Sequence, residues 1–182
     1  REMKRIVLLY ILLALAMASK SQAPRLLLPV AANDVVDLSM LSPGQRFMVA
    51  SSYNPGEVKV WDTRTKKLLY TIKDNFINPH SICFSADGKK LLTTDEIQFN
   101  IWNLQDGSRV KRFADEEAGG MASFSHNGQF LVSASEGIIR VRDAETGLVQ
   151  KEILTGRKNS YPVIISPGDR YIAICHEDTI CL

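Results

Sequence analysis

Residues 58–66 read Val58-Lys59-Val60-Trp61-Asp62-Thr63-Arg64-Thr65-Lys66. A short stretch of strand character ends on a Trp-Asp pair, and turn-forming polar residues follow. A Trp beside an Asp suits a binding platform, a catalytic acid or a structural joint. Recurrence at a fixed spacing favours the joint. Further along, Trp102-Asn103 and Arg142-Asp143 take the same place, at intervals of 41 and 40 residues. A second marker keeps step: Ser42-Pro43-Gly44, Ser85-Ala86-Asp87-Gly88, Ser125-His126-Asn127-Gly128 and Ser166-Pro167-Gly168-Asp169. Its serines stand 43, 40 and 41 residues apart. Two markers with one period define a repeat of about 40 residues, the length of a four-stranded propeller blade.

The second unit shows the pattern within a repeat. Residues 81–84, 90–94 and 97–102 are predicted strands, separated by turns of Ser, Asp, Asn and Gly, and 109–113 is the predicted outer strand. The inner strands are apolar almost throughout, as burial of both faces between neighbouring sheets requires. The outer strand alternates with charge, as a rim does. The predicted fold is all-β: a β-propeller of four-stranded antiparallel blades, about three complete and a fourth partial. Its units run at about 31–73, 74–114, 115–154 and 155–182 within a domain at 24–182.

On these residues the chain resembles the WD-repeat family, β-propellers of the transducin β-subunit type, from Leu26 to the end. The third-strand signature is good in residues 58–62, weaker in 100–103 and recognisable in 139–143. The family's Gly-His pair, which opens each unit, is missing. Asp74-Asn75, Asp115-Glu116 and Gly156-Arg157 stand nearest its place, and His80 falls in or beside a first strand. The resemblance therefore implies degenerate repeats whose buried His–Asp–Ser/Thr–Trp network is incomplete. Thr94 with Trp102, and Ser135 without a Trp, would be its remnants. The repeat positions Trp61, Asp62, Trp102, Asn103, Arg142 and Asp143 read as structural, the aromatic by packing and the acid by the turn after it. A surface-layer propeller of the YVTN type is the alternative.

In the second and third units the Trp-type position follows the turn serine by 17 residues, which from Ser166 points one residue past Leu182. A C-terminally truncated ring is the expectation. Residues 25–30 stand where an outer strand precedes each unit, and in closed propellers of this family such a strand completes the last blade. An incomplete ring leaves apolar blade faces open, so the fragment is expected to self-associate.

The N-terminus has a basic start at Met3-Lys4-Arg5, 13 uncharged apolar residues from Ile6 to Ala18, and small-x-small sites at Ala18 and Ala23. This pattern predicts a signal peptide over 1–23, cleaved after Ala18 or Ala23. The apolar run is shorter than the roughly 20 residues of a spanning helix. No stable membrane span is expected after cleavage; an uncleaved anchor is the alternative reading. No Cys follows the run, so lipoprotein anchoring is not indicated. The expected location is periplasmic or extracellular, in a bacterium. Net charge is +2 and falls to zero if residues 1–18 are removed, so nucleic acid is not an expected partner. Lys66-Lys67, Lys89-Lys90 and Arg157-Lys158 read as solvated turn charges. Of the three cysteines, Cys83 and Cys181 read as small buried hydrophobes, with a Cys175–Cys181 bridge as the alternative.

The sequence carries no metal-ligand spacing, nucleophile elbow, P-loop or dinucleotide fingerprint. His176-Glu177-Asp178 and Asp115-Glu116-Glu117 read as turn and surface loop. No catalytic, cofactor or metal residue is therefore expected. The function read from this is a non-catalytic protein-interaction scaffold that binds other proteins. Loops at one end of the blades would present Tyr53, Asn54, Asn75, Phe76, Glu116, Glu136, Arg157 and His176. Two alternatives stand beside it: the accessory propeller of a larger exported enzyme such as a caspase-like peptidase, and a lactonase- or quinoprotein-like propeller enzyme.

Overall fold

A computed structural model describes residues 36, 38–52, 56–73, 80–95, 97–114, 121–155, 162–176 and 179–181, all within the unit 32–182. These form four antiparallel sheets, each from strands consecutive in sequence. The first sheet holds β1 (Leu38–Leu41), β2 (Phe47–Ser52), β3 (Glu57–Asp62) and β4 (Lys67–Lys73). The second holds β5 (Ser81–Phe84), β6 (Lys90–Thr94), β7 (Gln98–Asn103) and β8 (Arg109–Ala114). The third holds β9 (Met121–Phe124), β10 (Phe130–Ser135), β11 (Ile138–Asp143) and β12 (Val149–Leu154). In the fourth, the described strands are β13 (Val163–Ile165), β14 (Ile172–His176) and β15 (Thr179–Cys181). This all-β pattern of up-and-down four-stranded sheets is that of propeller blades.

Successive sheets face one another through three apolar layers. Val49, Val58 and Val60 of the first sheet meet Ile82, Phe84, Leu91 and Trp102 of the second. Leu92, Phe99 and Ile101 of the second meet Ala122, Phe124 and Leu131 of the third. Val132, Ala134 and Ile139 of the third meet Val163 and Ile174 of the fourth. The middle strands thus bury both faces, which is why they read as near-continuous apolar runs. The first strands β1, β5, β9 and β13 neighbour one another in turn, so the outer strands β4, β8 and β12 form the rim.

Strands β5 and β6 match their predicted limits. The third strand of that sheet starts one residue later than expected, at Gln98. Asp95 is the cause: its carboxylate accepts hydrogen bonds from the Ile97 and Gln98 amides and from the Gln98 side chain. The predicted strand at 170–174 is β14, shifted to Ile172–His176 because the preceding turn extends to Tyr171. The register sets Cys175 opposite Ile180 and Cys181 opposite Ile174. The two cysteines are therefore not cross-strand partners. Cys83 is a half-buried free thiol. The signal segment and residues 24–35 lie outside the described residues.

Candidate functional site

Both sequence markers occupy the same end of the sheets, where each first strand turns into the second and each third into the fourth. The serine marker closes the first of these turns. Ser42, Ser85, Ser125 and Ser166 each accept, at 2.9–3.0 Å, the amide of the residue five positions on. The backbone of the same residue pairs closes the loop a second time. In two of the four turns the serine hydroxyl also donates to a side chain two residues later, Asp87 or Asn127. A hydroxyl can donate and accept at once, which suits this joint.

The acid marker closes the second turn. One Asp62 oxygen accepts from the Thr65 amide at 2.7 Å and the Thr65 hydroxyl at 3.1 Å. Asp143 accepts from the Glu145 and Thr146 amides and the Thr146 hydroxyl. Asn103 keeps one such bond, to Gln105. The Thr65 amide foremost holds Asp62 below the ordinary carboxylate range, and the Thr146 amide does the same for Asp143. The Ser85 hydroxyl lowers Asp87 and the Ser108 hydroxyl lowers Asp106. A carboxylate with a depressed folded pKa contributes stability above its unfolded value of 3.8, and that contribution is lost as pH falls through the folded value. Acid melts should therefore lose stability below about pH 4, and Asp143→Asn should flatten that part of the profile. An unchanged profile would contradict the role given to Asp143.

The two Trp positions differ. The indole N–H of Trp102 donates to the Thr93 hydroxyl at 2.9 Å, both groups buried. Leu91 lies opposite Trp102, and Thr93, two residues on, shares that face. The expectation that Thr94 fills this role is corrected. Thr94 lies on the other face of β6 and meets the Ser81 hydroxyl at 2.9 Å. In the first sheet Met48 lies opposite Trp61, so the place of Thr93 falls to Ala50. Trp61 Nε1 is accordingly buried without a hydrogen-bond partner among the described residues. Ala50→Ser is expected to supply that acceptor and raise stability by about 1 kcal/mol. An unfolding midpoint that stays put or falls would show that the indole is aimed elsewhere.

In the third sheet the place of Trp belongs to Arg142, with Ser133, not Ser135, at the place of Thr93. Arg142 is buried to 7% exposure, its guanidinium 5.5 Å from the centre of the Phe99 ring on the second sheet. A cation over an aromatic face thus stands where an indole stands in the other two sheets. Arg140, two residues before, bonds Glu152 across the sheet at 2.9 Å.

Further contacts tie neighbouring sheets at this end. The Tyr70 hydroxyl donates to the Leu104 carbonyl at 2.7 Å, and the Tyr70 ring lies against Gly107. Phe113 lies in the same way against Gly147. Asp169 accepts from the His126 and Asn127 amides across the third junction. Burial, with the charge of Asp106 as a smaller cause, pushes the Tyr70 phenol up to about 12. Its stabilisation is complete below the ordinary value of 10.0 and is lost as pH rises towards 12.

A groove of about 750 Å³ runs between the first and second sheets at this end. Arg46, Phe47, Asp62 and Leu69 line one side, and Asp87, Lys89, Lys90, Leu104 and Val110 are among the lining residues of the other. The next junction repeats it, with about 450 Å³ between Lys90 and the turns around Gln129 and Ala144. Sequence reading missed this groove. Lys89-Lys90 was its one local signal and reads there as a solvated pair, because the opposite wall comes from another sheet.

Of the predicted interaction residues, Glu136 and His176 lie at the other end of the sheets. Glu136 sits exposed in the turn between β10 and β11, with a positive φ of 49°. His176 ends β14. Tyr53, Asn54, Asn75, Phe76, Glu116 and Arg157 lie outside the described residues, as do Asp115, Glu117, Glu177 and Asp178. Among the described residues, no group of three or more His, Cys, Asp or Glu is placed to hold a metal ion. No helix among them is long and apolar enough to cross a membrane.

Sheets built and joined in this way define a repeat protein of the propeller-blade type. Residues 118–143 match the WD40 family, described as WD domain, G-beta repeat. The chain is also similar to WD repeat and SOCS box-containing protein 1 of Mus musculus, 32% identical over 69 residues. That similarity covers 36% of this chain and 16% of the mouse protein's length. Together with the sheets, these findings support a WD-repeat family for the chain.

Proposed function

We propose that this chain is a non-catalytic, exported scaffold for protein–protein interaction, built on WD-type propeller blades. The observation that carries the reading is the employment of the chemistry-bearing side chains in joints. Asp62, Asp87, Asp95, Asp143 and Asp169 all accept backbone amides, which suits a rigid frame for loops. The WD repeat at 118–143 supports an interaction role, and the basic-then-apolar stretch at 3–18 supports export.

Loops at the Glu136 end present the binding surface in this proposal. Taken by itself, the chain also self-associates through an exposed sheet face. Ile164, on the face of β13 turned away from Val163, is 59% exposed, and Tyr171 beside it 61%. The test is purification of the tagged chain from fractionated cells. Recovery from the exported fraction with a stoichiometric protein partner is expected. Recovery from the cytoplasm, repeatedly without a partner, would overturn the proposal.

A further inference from the structure

We propose that the groove between the first two sheets is a docking site for an acidic, extended segment of a partner protein. This rests on the scaffold reading above and adds a contact at the end of the sheets opposite Glu136.

The shape of the groove comes first. Its lining follows one whole sheet, from the turn at Ser42-Pro43 past Phe47 and Asp62 to Leu69 on the outer strand β4. On the facing wall it passes from Asp87–Lys90 through Asn103–Gln105 to Val110 on β8. A trough that crosses a sheet from first turn to outer edge suits a length of chain better than a compact ligand. Its volume of about 750 Å³ lies within the roughly 300–1,000 Å³ of ordinary ligand clefts.

The charge in the groove selects the partner. Three cations line it, Arg46, Lys89 and Lys90, all exposed. Two carboxylates line it as well, but both are engaged. Asp62 is buried and bonded to Thr65. Asp87 accepts from the Ser85 hydroxyl and the Lys89 amide. Asp87 stays exposed, so the lining sets three cations against two carboxylates and keeps an excess of one positive charge. Leu69 and Val110, 45% and 43% exposed, supply apolar footing at the outer end. A segment that alternates acidic and aliphatic residues meets both features, with its acids on the lysines and its aliphatic side chains on Leu69 and Val110.

The test is fluorescence anisotropy on the whole chain with a labelled peptide of alternating Glu and Leu. Saturable binding that weakens with added salt is expected. Lys89→Glu with Lys90→Glu should weaken binding about tenfold or more, while Lys151→Glu on the outer strand β12 should leave it unchanged. Both variants change exposed side chains, and an unaltered melting curve will show that they fold. Equal binding of the counterpart peptide with Lys for Glu, binding undiminished in the double variant, or no binding would each overturn the proposal. So would preferential binding of an oligonucleotide of equal charge, since that assigns the cations to phosphate. Partner capture retained by the double variant from the exported fraction would place the fault in the groove and leave the scaffold reading standing.

Discussion

Gly147→Ala is expected to destabilise the chain severely. Gly147 has a φ of +76°, and a Cβ built there would run into the Phe113 ring. Two costs add. A left-handed conformation in a residue other than glycine costs about 1–2 kcal/mol. Forcing a packed ring aside costs a further 1–3 kcal/mol, roughly. The sum, about 2–5 kcal/mol, is a large part of the stability of an ordinary domain. Gly128→Ala separates the two costs, because Gly128 has a φ of +71° but nothing among the described residues within 4 Å of the added carbon. Urea unfolding should show a clearly larger loss at Gly147 than at Gly128. Equal losses would mean that the Phe113 ring yields without cost. Gly107→Ala should fall between the two, since the Tyr70 ring stands at 2.8 Å.

Trp102→Ala should cost about 3–5 kcal/mol, as large truncations in a core do. The indole is 5% exposed and belongs to the layer between the first two sheets. Part of that loss is polar. Thr93→Val keeps the shape but removes the acceptor of the indole N–H, and an abandoned buried donor costs about 1–3 kcal/mol. A cycle of Thr93→Val and Trp102→Phe isolates the bond. The double variant should lose less than the sum of the single variants, by about 0.5–3 kcal/mol. Thr94→Val is the comparison, since Thr94 lies on the opposite face. Strict additivity in the Thr93 cycle would remove the bond from the energetics of the sheet.

The period of the chain was legible because both markers are local. A serine that closes a five-residue turn and an acid that closes the next need only neighbours in sequence, so they recur wherever the turn recurs. The limits of β5 and β6 followed from the same turns. The partner of Trp102 was not legible in this way. Adjacent threonines point to opposite faces of a strand, and only the register of Leu91 against Trp102 chooses Thr93. The same step leaves Trp61 beside Ala50. Arg142 is a third case: its residue type departs from the pattern, yet the family match at 118–143 falls on its repeat. The groove and the glycine seats depend on two sheets facing each other, which no single repeat contains. Asn103–Gly107 reads as a turn, and nothing within it announces that a ring from 37 residues earlier, Tyr70, lies against its glycine.

Those seats bear on how the chain assembles. Repeats of similar sequence run the risk of stacking on the wrong neighbour or in the wrong sense while they fold. An apolar face offers little defence, because one aliphatic surface accepts another in many orientations. A ring set against glycine does not. The outer strands of the first two sheets supply the aromatic and the last turn of the next sheet supplies the gap, Tyr70 with Gly107 and Phe113 with Gly147. The contact has a giver and a receiver, so it gives the array a direction. A sheet turned end over end would present a ring to a position with a side chain already in it. Exchanging ring and glycine between adjacent repeats should therefore scramble the order of stacking before it weakens any one sheet.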